Sequence, residues 1–468
     1  MKTFATITLG CKVNQYESQQ IRQLLEELGL RYINHTTGRP DLFIINTCCV
    51  TQTASAKSRR CIYKAKRQNP SAVIVVCGCL PAVDNDELNS VPNNNIHIIK
   101  HRESLAAKLF HIANRANISS LKADEVQNNY KNIKAKMFGQ IKSENHNGNC
   151  PGFSNLKAFK SQTRSFLKIQ DGCDGYCSYC IIPKARPDIY SKPPDEVLQE
   201  AESLVAAGHK EIVVTGIFLG AYGQKTVKRK NWPARKNEKL SELLDRMAQI
   251  PKLYRIRLSS LEPADITPRL LDTVCKSSNI MPHLHLSLQS GSDKILKRMC
   301  RQYDIEAFMQ KVELIQAKLD RPAITTDLIV GFPGETDSDF EQTVSAANKA
   351  GFAKMHVFPF SPRKGTAAER FQDAVDQRVI KKRSAVLRNL GLELSYKFRE
   401  QFIGSECKVL VESEDGQICG RCDRYFPVYI EKNTEKSTRG KIVRAKLVKN
   451  NENGAIGHLV QLSTRPRL

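Results

Sequence analysis

No stretch of this 468-residue chain approaches the roughly 20 apolar residues that a membrane span requires. Its first residues, MKTFATITLGCKV, carry one lysine and too short an apolar run for a secretory leader. The two absences predict a cytoplasmic protein without a membrane partner. Acidic residues are also scarce: 48 Asp and Glu stand against 72 Lys and Arg, a formal charge of +24. That balance points to a polyanionic partner, most simply nucleic acid, although a generally basic solvated surface fits the charge equally well. The last absence is a thiol. DGCDGYCSYCII holds Cys173, Cys177 and Cys180 as C-x3-C-x2-C with no fourth cysteine beside them. Three ligands leave one coordination position open, as a catalytic metal needs and a structural metal does not.

What is present is enough for several bodies. A chain of this length is expected to divide into roughly two to four domains. Residues 1–115 alternate strand and helix patterns: TFATITL, DLFIIN and AVIVV read as strands, while ESQQIRQLLEELG sets Ile21, Leu24, Leu25 and Leu28 at helical spacing before Gly29. Short apolar runs of this kind are buried in parallel sheets, so a doubly wound α/β domain is expected. Residues 116–163, rich in Asn, Lys, Ser and Gly, read as a basic linker. From 164 to 400 six strand candidates recur with helices between them: FLKIQ, EIVVTG, YRIRLSS, HLHLSLQS, AITTDLIVGFP and KMHVFPF. Right-handed βα crossovers curl such a series into a (β/α) barrel, partial or full. Its exit, residues 367–400, reads as one charged helix or a pair. Residues 401–468 alternate with Gly, Asn and Asp turns, the pattern of a small all-β barrel of oligonucleotide-binding type.

The C-x3-C-x2-C run follows the first barrel strand, so it is predicted to sit at the strand's carboxyl end, where barrel active sites form. Gly172 and Gly175 allow the backbone to wrap closely around a bulky group. Three further cysteines, Cys11, Cys48 and Cys79, each lie just past a predicted strand of the first domain. Carboxyl ends of parallel strands share one edge, and ligands bind there. The three thiols therefore either converge on a second site or serve as small buried hydrophobes, a common fate of free cysteine. Spacing does not choose between them, because Cys49 adjoins Cys48, and Cys77 is expected on the same face as Cys79.

The central run resembles the cluster motif of the radical S-adenosylmethionine (SAM) enzymes, with Tyr179 as the aromatic before the third cysteine. TLGCKVNQYES, INTCCVT and CGCL resemble the N-terminal domain of the methylthiotransferases within that superfamily. RIRLSSLEP, HLHLSLQSGSDKILKRM, TTDLIVGFPGET and HVFPFSPRKGTAA extend the likeness along the chain. The resemblance implies a radical-SAM partial barrel, a C-terminal TRAM barrel, two 4Fe-4S clusters and S-adenosylmethionine. It selects Cys173, Cys177 and Cys180 for one cluster and Cys11, Cys48 and Cys79 for the other. Cys49, Cys61, Cys77, Cys150, Cys275, Cys300, Cys407, Cys419 and Cys422 match no family ligand. Cofactor contacts are expected at Tyr179, Gly216, Ser259, Glu262 and Gln289, with structural roles at strand ends as the alternative for the last four. No catalytic residue is assigned apart from the cluster ligands.

The implied reaction is methylthiolation of an unactivated C–H bond, which requires an electron donor and a sulfur source that the sequence does not name. Among the family's substrates the basic balance favours RNA, and RIRLSSLEP and GRCDRYFPVYI resemble the branch acting on threonylcarbamoyladenosine beside the tRNA anticodon. Where the family commonly carries Arg-Gly and Ser-Arg after the third cysteine, this chain reads IIPKARPDIYSKPP, so Arg186 and Lys192 are the mouth cations expected to hold RNA. Lys441, Arg444 and Lys446 are expected to hold phosphates from the terminal barrel. Tyr425 and Tyr429 either stack on bases or pack that barrel. Isopentenyladenosine tRNA, a ribosomal-protein aspartate, and a catalytically silent iron–sulfur RNA-binding protein stay open as other readings.

Overall fold

The computed structural model describes residues 1–83, 88, 95–115, 153–160, 162–231, 238–413, 417–431 and 439–460. Its first sheet is wholly parallel. β1 (Thr3–Thr8), β2 (Arg31–Tyr32), β3 (Leu42–Thr47), β4 (Val73–Gly78) and β5 (Ile96–Ile98) lie in the order β2-β1-β3-β4-β5. Alternate residues of these strands face opposite layers. Phe4, Ile44 and Val75 pack with Ile21, Leu24 and Leu25 of helix α1 (Lys12–Glu27). Phe43, Ile45, Ile74 and Val76 pack with Ile62 and Ala65 of helix α2 (Gln52–Gln68). Helices on both faces make the domain doubly wound, and the order reverses between β1 and β3. That reversal is the topological switch point beside which such sheets bind ligands.

The second body opens with β6 (Arg164–Lys168), a short antiparallel pair β7 (Gln170–Asp171) and β8 (Tyr190–Ser191), and β9 (Glu211–Thr215). It continues through β10 (Arg255–Leu258), β11 (Ser260–Leu261), β12 (His283–Leu286), β13 (Ala323–Val330) and β14 (Lys354–Pro359). Two parallel sheets, β10-β9-β6 and β11-β12-β13-β14, meet at a bridge between Ile256 and Ile280. β6 and β14 are the unpaired edges, so the six expected units form a partial barrel that does not close. A single helix, Gln377–Glu400, leaves it and packs on β14.

The third body is a closed five-stranded barrel of β15 (Glu406–Ser413), β16 (Ile418–Cys422), β17 (Pro427–Ile430), β18 (Ile442–Asn451) and β19 (Gly454–Leu459). Val409, Val411, Ala445 and Leu447 fill its core. It is docked onto the partial barrel. Arg255 donates to the carbonyls of Arg421 (2.9 Å) and Lys408 (2.7 Å), and Arg257 to that of Asp423 (3.0 Å). Glu211, fully buried, holds both guanidinium groups.

Most of the expected linker, with Cys150, lies outside the described residues. Its described end is not linker-like: Leu156 and Phe159 are buried in the central core, and Lys157 and Lys160 pair with Glu27 and Glu26 of α1. Two apolar residues three apart were too sparse to signal a strap across two domains. Among the described residues no helix is long and apolar enough to cross a membrane.

Candidate functional site

Cys173, Cys177 and Cys180 occupy the loop that leaves β7 at the carboxyl end of the first barrel strand. Gly172 has φ +78°, and a Cβ there would stand 1.8 Å from the Asp188 carbonyl oxygen, so only glycine fits. At Gly175 a Cβ would come within 3.1 Å of the Cys173 sulfur. The loop is tied down by Cys173 N–H to the Arg186 carbonyl (2.9 Å) and Ser178 N–H to that of Met299 (3.1 Å). Burial pushes the Cys173 and Cys180 thiols up to about 12. That is the cost of an unshared negative charge in a dry place, and a bound cation reverses it.

A charged relay surrounds this triad. Arg301 donates to the Cys177 sulfur (3.2 Å) and the Tyr179 hydroxyl (3.4 Å), and its other nitrogen pairs with Glu262. Arg229 pairs with Glu262 (3.3 Å) and Asp265 (2.8 Å). The Tyr179 ring meets Phe332 edge-on, at 6.3 Å between centroids. Of the expected cofactor positions, Tyr179 and Glu262 therefore join Cys177 through Arg301. Ser259 is buried with no partner for its hydroxyl. Gly216 lies against Gln170, whose Cβ a side chain there would meet at 2.9 Å. Gln289 stands after β12 with φ +67°, a conformation uncommon for a side-chain-bearing residue. Arg301 and Arg229 escaped the sequence reading. The only local sign was a basic residue just past a helix end, after Cys300 at φ +57°.

The second set of thiols also gathers. Asn14 donates to the carbonyls of Leu9 (2.8 Å) and Thr47 (2.9 Å), binding the ends of β1 and β3. Its side-chain oxygen accepts from the thiols of Cys11 (3.8 Å) and Cys79 (3.9 Å). A Cβ on Gly10 would touch the Cys48 side chain at 2.9 Å, so β1 and β3 leave the sheet in close contact. A hydrogen bond from Cys49 holds the Cys79 thiol down at about 5; burial opposes this, and Arg186 and Arg102 reinforce it. Contrary to the expectation from strand alternation, Cys77 and Cys79 do not share a face. Cys77 packs with Ile44 and Val75, whereas Cys79 packs with Ile45 and Val76, because the chain abandons the extended form at Gly78 (φ +93°). Among the described residues no three His, Cys, Asp or Glu side chains form a cage for a single metal ion.

The two expected mouth cations are not at a mouth. Arg186 is buried between the first and second bodies, donating to Glu17 (2.9 Å), Asp171 (2.8 Å) and Asn14 (3.0 Å). Lys192 is buried too, paired with Glu200 and hydrogen-bonded to Tyr16 (3.1 Å). Neither reaches solvent RNA: Glu17, far off in sequence, and Asp171 capture Arg186, and Glu200 on the following helix captures Lys192. In the terminal barrel Arg444 and Lys446 do share an exposed face of β18, with Arg444 also paired to Glu406. Lys441 is exposed just before that strand. Tyr425 is packed rather than offered to a base: it inserts into the partial barrel, with Arg164, Arg257 and Arg421 within 4.8 to 5.2 Å of its ring centre.

A thiol triad at the strand ends of a partial (β/α) barrel defines a radical S-adenosylmethionine protein, and the Radical SAM superfamily model matches residues 167–347. The model of the uncharacterized protein family UPF0004 matches residues 3–99. In fold the chain is similar to the radical S-adenosylmethionine methyltransferase TsrM of Kitasatospora setae (TM-score 0.50, 14% identity, 76% of this chain and 72% of that one). It is 37% identical to threonylcarbamoyladenosine tRNA methylthiotransferase MtaB of Bacillus subtilis, over 96% of this chain and 94% of the relative. It is 36% identical to the protein of that name from Thermotoga maritima, over 88% and 87%. A tRNA-2-methylthio-N(6)-dimethylallyladenosine synthase of Pelagibacter ubique matches at 30%, over 98% of each. The chain belongs to the threonylcarbamoyladenosine tRNA methylthiotransferase family.

Proposed function

We propose that this protein is a cytoplasmic enzyme that converts threonylcarbamoyladenosine beside the tRNA anticodon to its 2-methylthio derivative. The observation that carries the reading is the near full-length match to relatives of that name, in a chain that gathers thiols at two sets of strand ends. Cys173, Cys177 and Cys180 would hold one 4Fe-4S cluster, and Cys11, Cys48 and Cys79 the other. The donor chemistry fits: soft sulfur ligands, glycines where a Cβ would crowd the loop, and a guanidinium beside a thiol of each triad. Bound there with S-adenosylmethionine, such groups supply a radical able to take hydrogen from an unactivated C–H bond, and a place to carry sulfur.

The chain's own residues provide position and exclusion. Arg301 neutralises Glu262 while donating to Cys177, so the loop is fixed without leaving a buried charge unpaired. The Ser259 hydroxyl, buried and unpartnered, is free to donate to a bound cofactor. Tyr179, Phe332 and Phe360 pack edge to face beside the triad and give that side of it an apolar wall. Arg444 and Lys446 are assigned to tRNA phosphates. The test is anaerobic incubation of the reconstituted enzyme with tRNA bearing either modification, followed by nucleoside mass spectrometry. The expected product is the 2-methylthio form of the threonylcarbamoyl nucleoside. Preferential reaction of the isopentenyl tRNA, or of a ribosomal protein alone, overturns the reading.

A further inference from the structure

The unclosed edge of the partial barrel frames a cavity of about 340 Å³ whose walls come from all three bodies. β6 supplies Arg164 and β14 supplies Lys354, His356 and Phe358. The N-terminal domain supplies Lys12, directly after Cys11, and the terminal barrel supplies Arg421 and Tyr425. The same wall includes Ser259, at the carboxyl end of β10. The cavity thus reaches the residues next to one thiol triad and the barrel end that faces the other.

Its charge is one-sided. Five cations line it (Lys12, Arg164, Arg257, Lys354 and Arg421) against the single carboxylate Asp327. Three of the cations are already occupied: Glu211 holds Arg257, and Glu412 holds Arg164 (2.5 Å) and approaches Arg421 (3.6 Å). Asp327 is itself taken by His285 (3.3 Å). Lys12 and Lys354 remain, and neither has an ion-pair partner among the described residues. Partial desolvation, chiefly, and the neighbouring charge of Arg421 push the Lys354 ammonium down, with Tyr425 opposing them. Two buried polar atoms in the wall are also unpartnered, His283 Nδ1 and Ser259 Oγ. Phe358 lies two residues beyond His356 on the same face of β14 and is 44% exposed, an unusual exposure for a large aromatic.

We infer that this cavity receives the modified adenosine, with Lys354 and Lys12 as counter-ions to the carboxylate of its carbamoylthreonine group and Phe358 as the surface on which the base stacks. The inference rests on the function proposed above and names the residues that choose its substrate. A splayed base is held by an aromatic face, and an anionic side group by charge-assisted hydrogen bonds from ammonium groups. An isopentenyl group offers no charge to two lysines that would be left desolvated by it. Arg186 and Lys192, the cations that the sequence offered for this task, are spent on buried carboxylates. Lys354 sits on an exposed edge strand and was hidden in KMHVFPF among apolar residues.

The experiment compares two anticodon stem-loops, one carrying the carbamoylthreonine acid and one its methyl ester, which is neutral. Wild-type enzyme should prefer the acid by roughly ten- to a hundredfold in kcat/KM, the contribution of a hydrogen bond to a charged group. In Lys354→Gln, at equal iron content, that preference should shrink towards unity through KM, and Lys354→Arg should restore it. Should the glutamine variant lose iron, the wild-type preference decides alone. Equal use of acid and ester by the wild type, or an undiminished preference in an iron-replete Lys354→Gln, overturns the assignment of the cavity. Failure of the wild type to modify the threonylcarbamoyl tRNA overturns the proposed function itself.

Discussion

At the scale of single residues, charge was the property that the sequence misplaced most. Arg186 follows the third cysteine by six positions, and nothing local shows that Glu17 and Asp171 will close on it. The resulting buried group, with Arg102 and Lys168, joins α1 to the barrel a few ångströms from Cys79. Burial alone would raise the Glu17 carboxyl, but Arg102, Arg186 and Lys168 hold it down at about 2, against 4.5 for an ordinary glutamate. The unfolded chain therefore takes up this proton first. The stabilisation is fully present above about pH 4.5 and is lost as pH falls towards 2. Urea midpoints measured across that window should decline more steeply for the wild type than for Glu17→Gln, which has no proton to bind. Parallel pH profiles would show that the group adds nothing to stability.

At the scale of elements, the legible features were those written in apolar periodicity. Five of the six barrel strands stand out as short, mostly buried runs; the sixth, β14, is exposed or half-buried along its length and stands out only by the apolar residues of KMHVFPF. Helix α1 stands out because Ile21, Leu24 and Leu25 share one face. The β7–β8 pair, two residues on each side, and the strap at Leu156 and Phe159 carry too little pattern to read. Thiols at strand ends were legible as positions, but their convergence was not, since it depends on Asn14 binding two strand ends at once. The proposed division of ligands has a direct consequence. Reconstituted protein should hold about eight irons, four for each cluster of this type. Replacing Cys173, Cys177 and Cys180 together by alanine should leave about four, because the Cys11, Cys48 and Cys79 set is assembled on a different sheet. Iron analysis with low-temperature electron paramagnetic resonance checks this. A triple variant holding no iron, or all of it, is incompatible with two independent sites.

At the scale of the whole molecule, the terminal barrel is not an appendage. Arg255 and Arg257, each about 2% exposed or less, reach from β10 into its carbonyls, and Tyr425 at φ +74° returns the contact. A non-glycine residue in the left-handed region persists only where its surroundings enforce it, and here three guanidinium groups and the His283 ring, 4.6 Å away, surround the phenol. Arg444 and Lys446 are thereby held at a fixed offset from the open edge between β6 and β14. Phosphates gripped on β18 would present one particular stretch of RNA to that edge, so binding and positioning are one act. Replacing Arg444 and Lys446 by alanine should weaken tRNA binding and reduce the slope of log K against log salt by about 1.4 to 1.8, the release of two counterions. Turnover at saturating tRNA should fall as well, because the remaining contacts no longer fix the register of the loop. Filter binding at several salt concentrations, read beside single-turnover rates, separates the two effects. An unchanged salt slope would leave β18 as a solvated face and return the task of RNA capture to the other bodies.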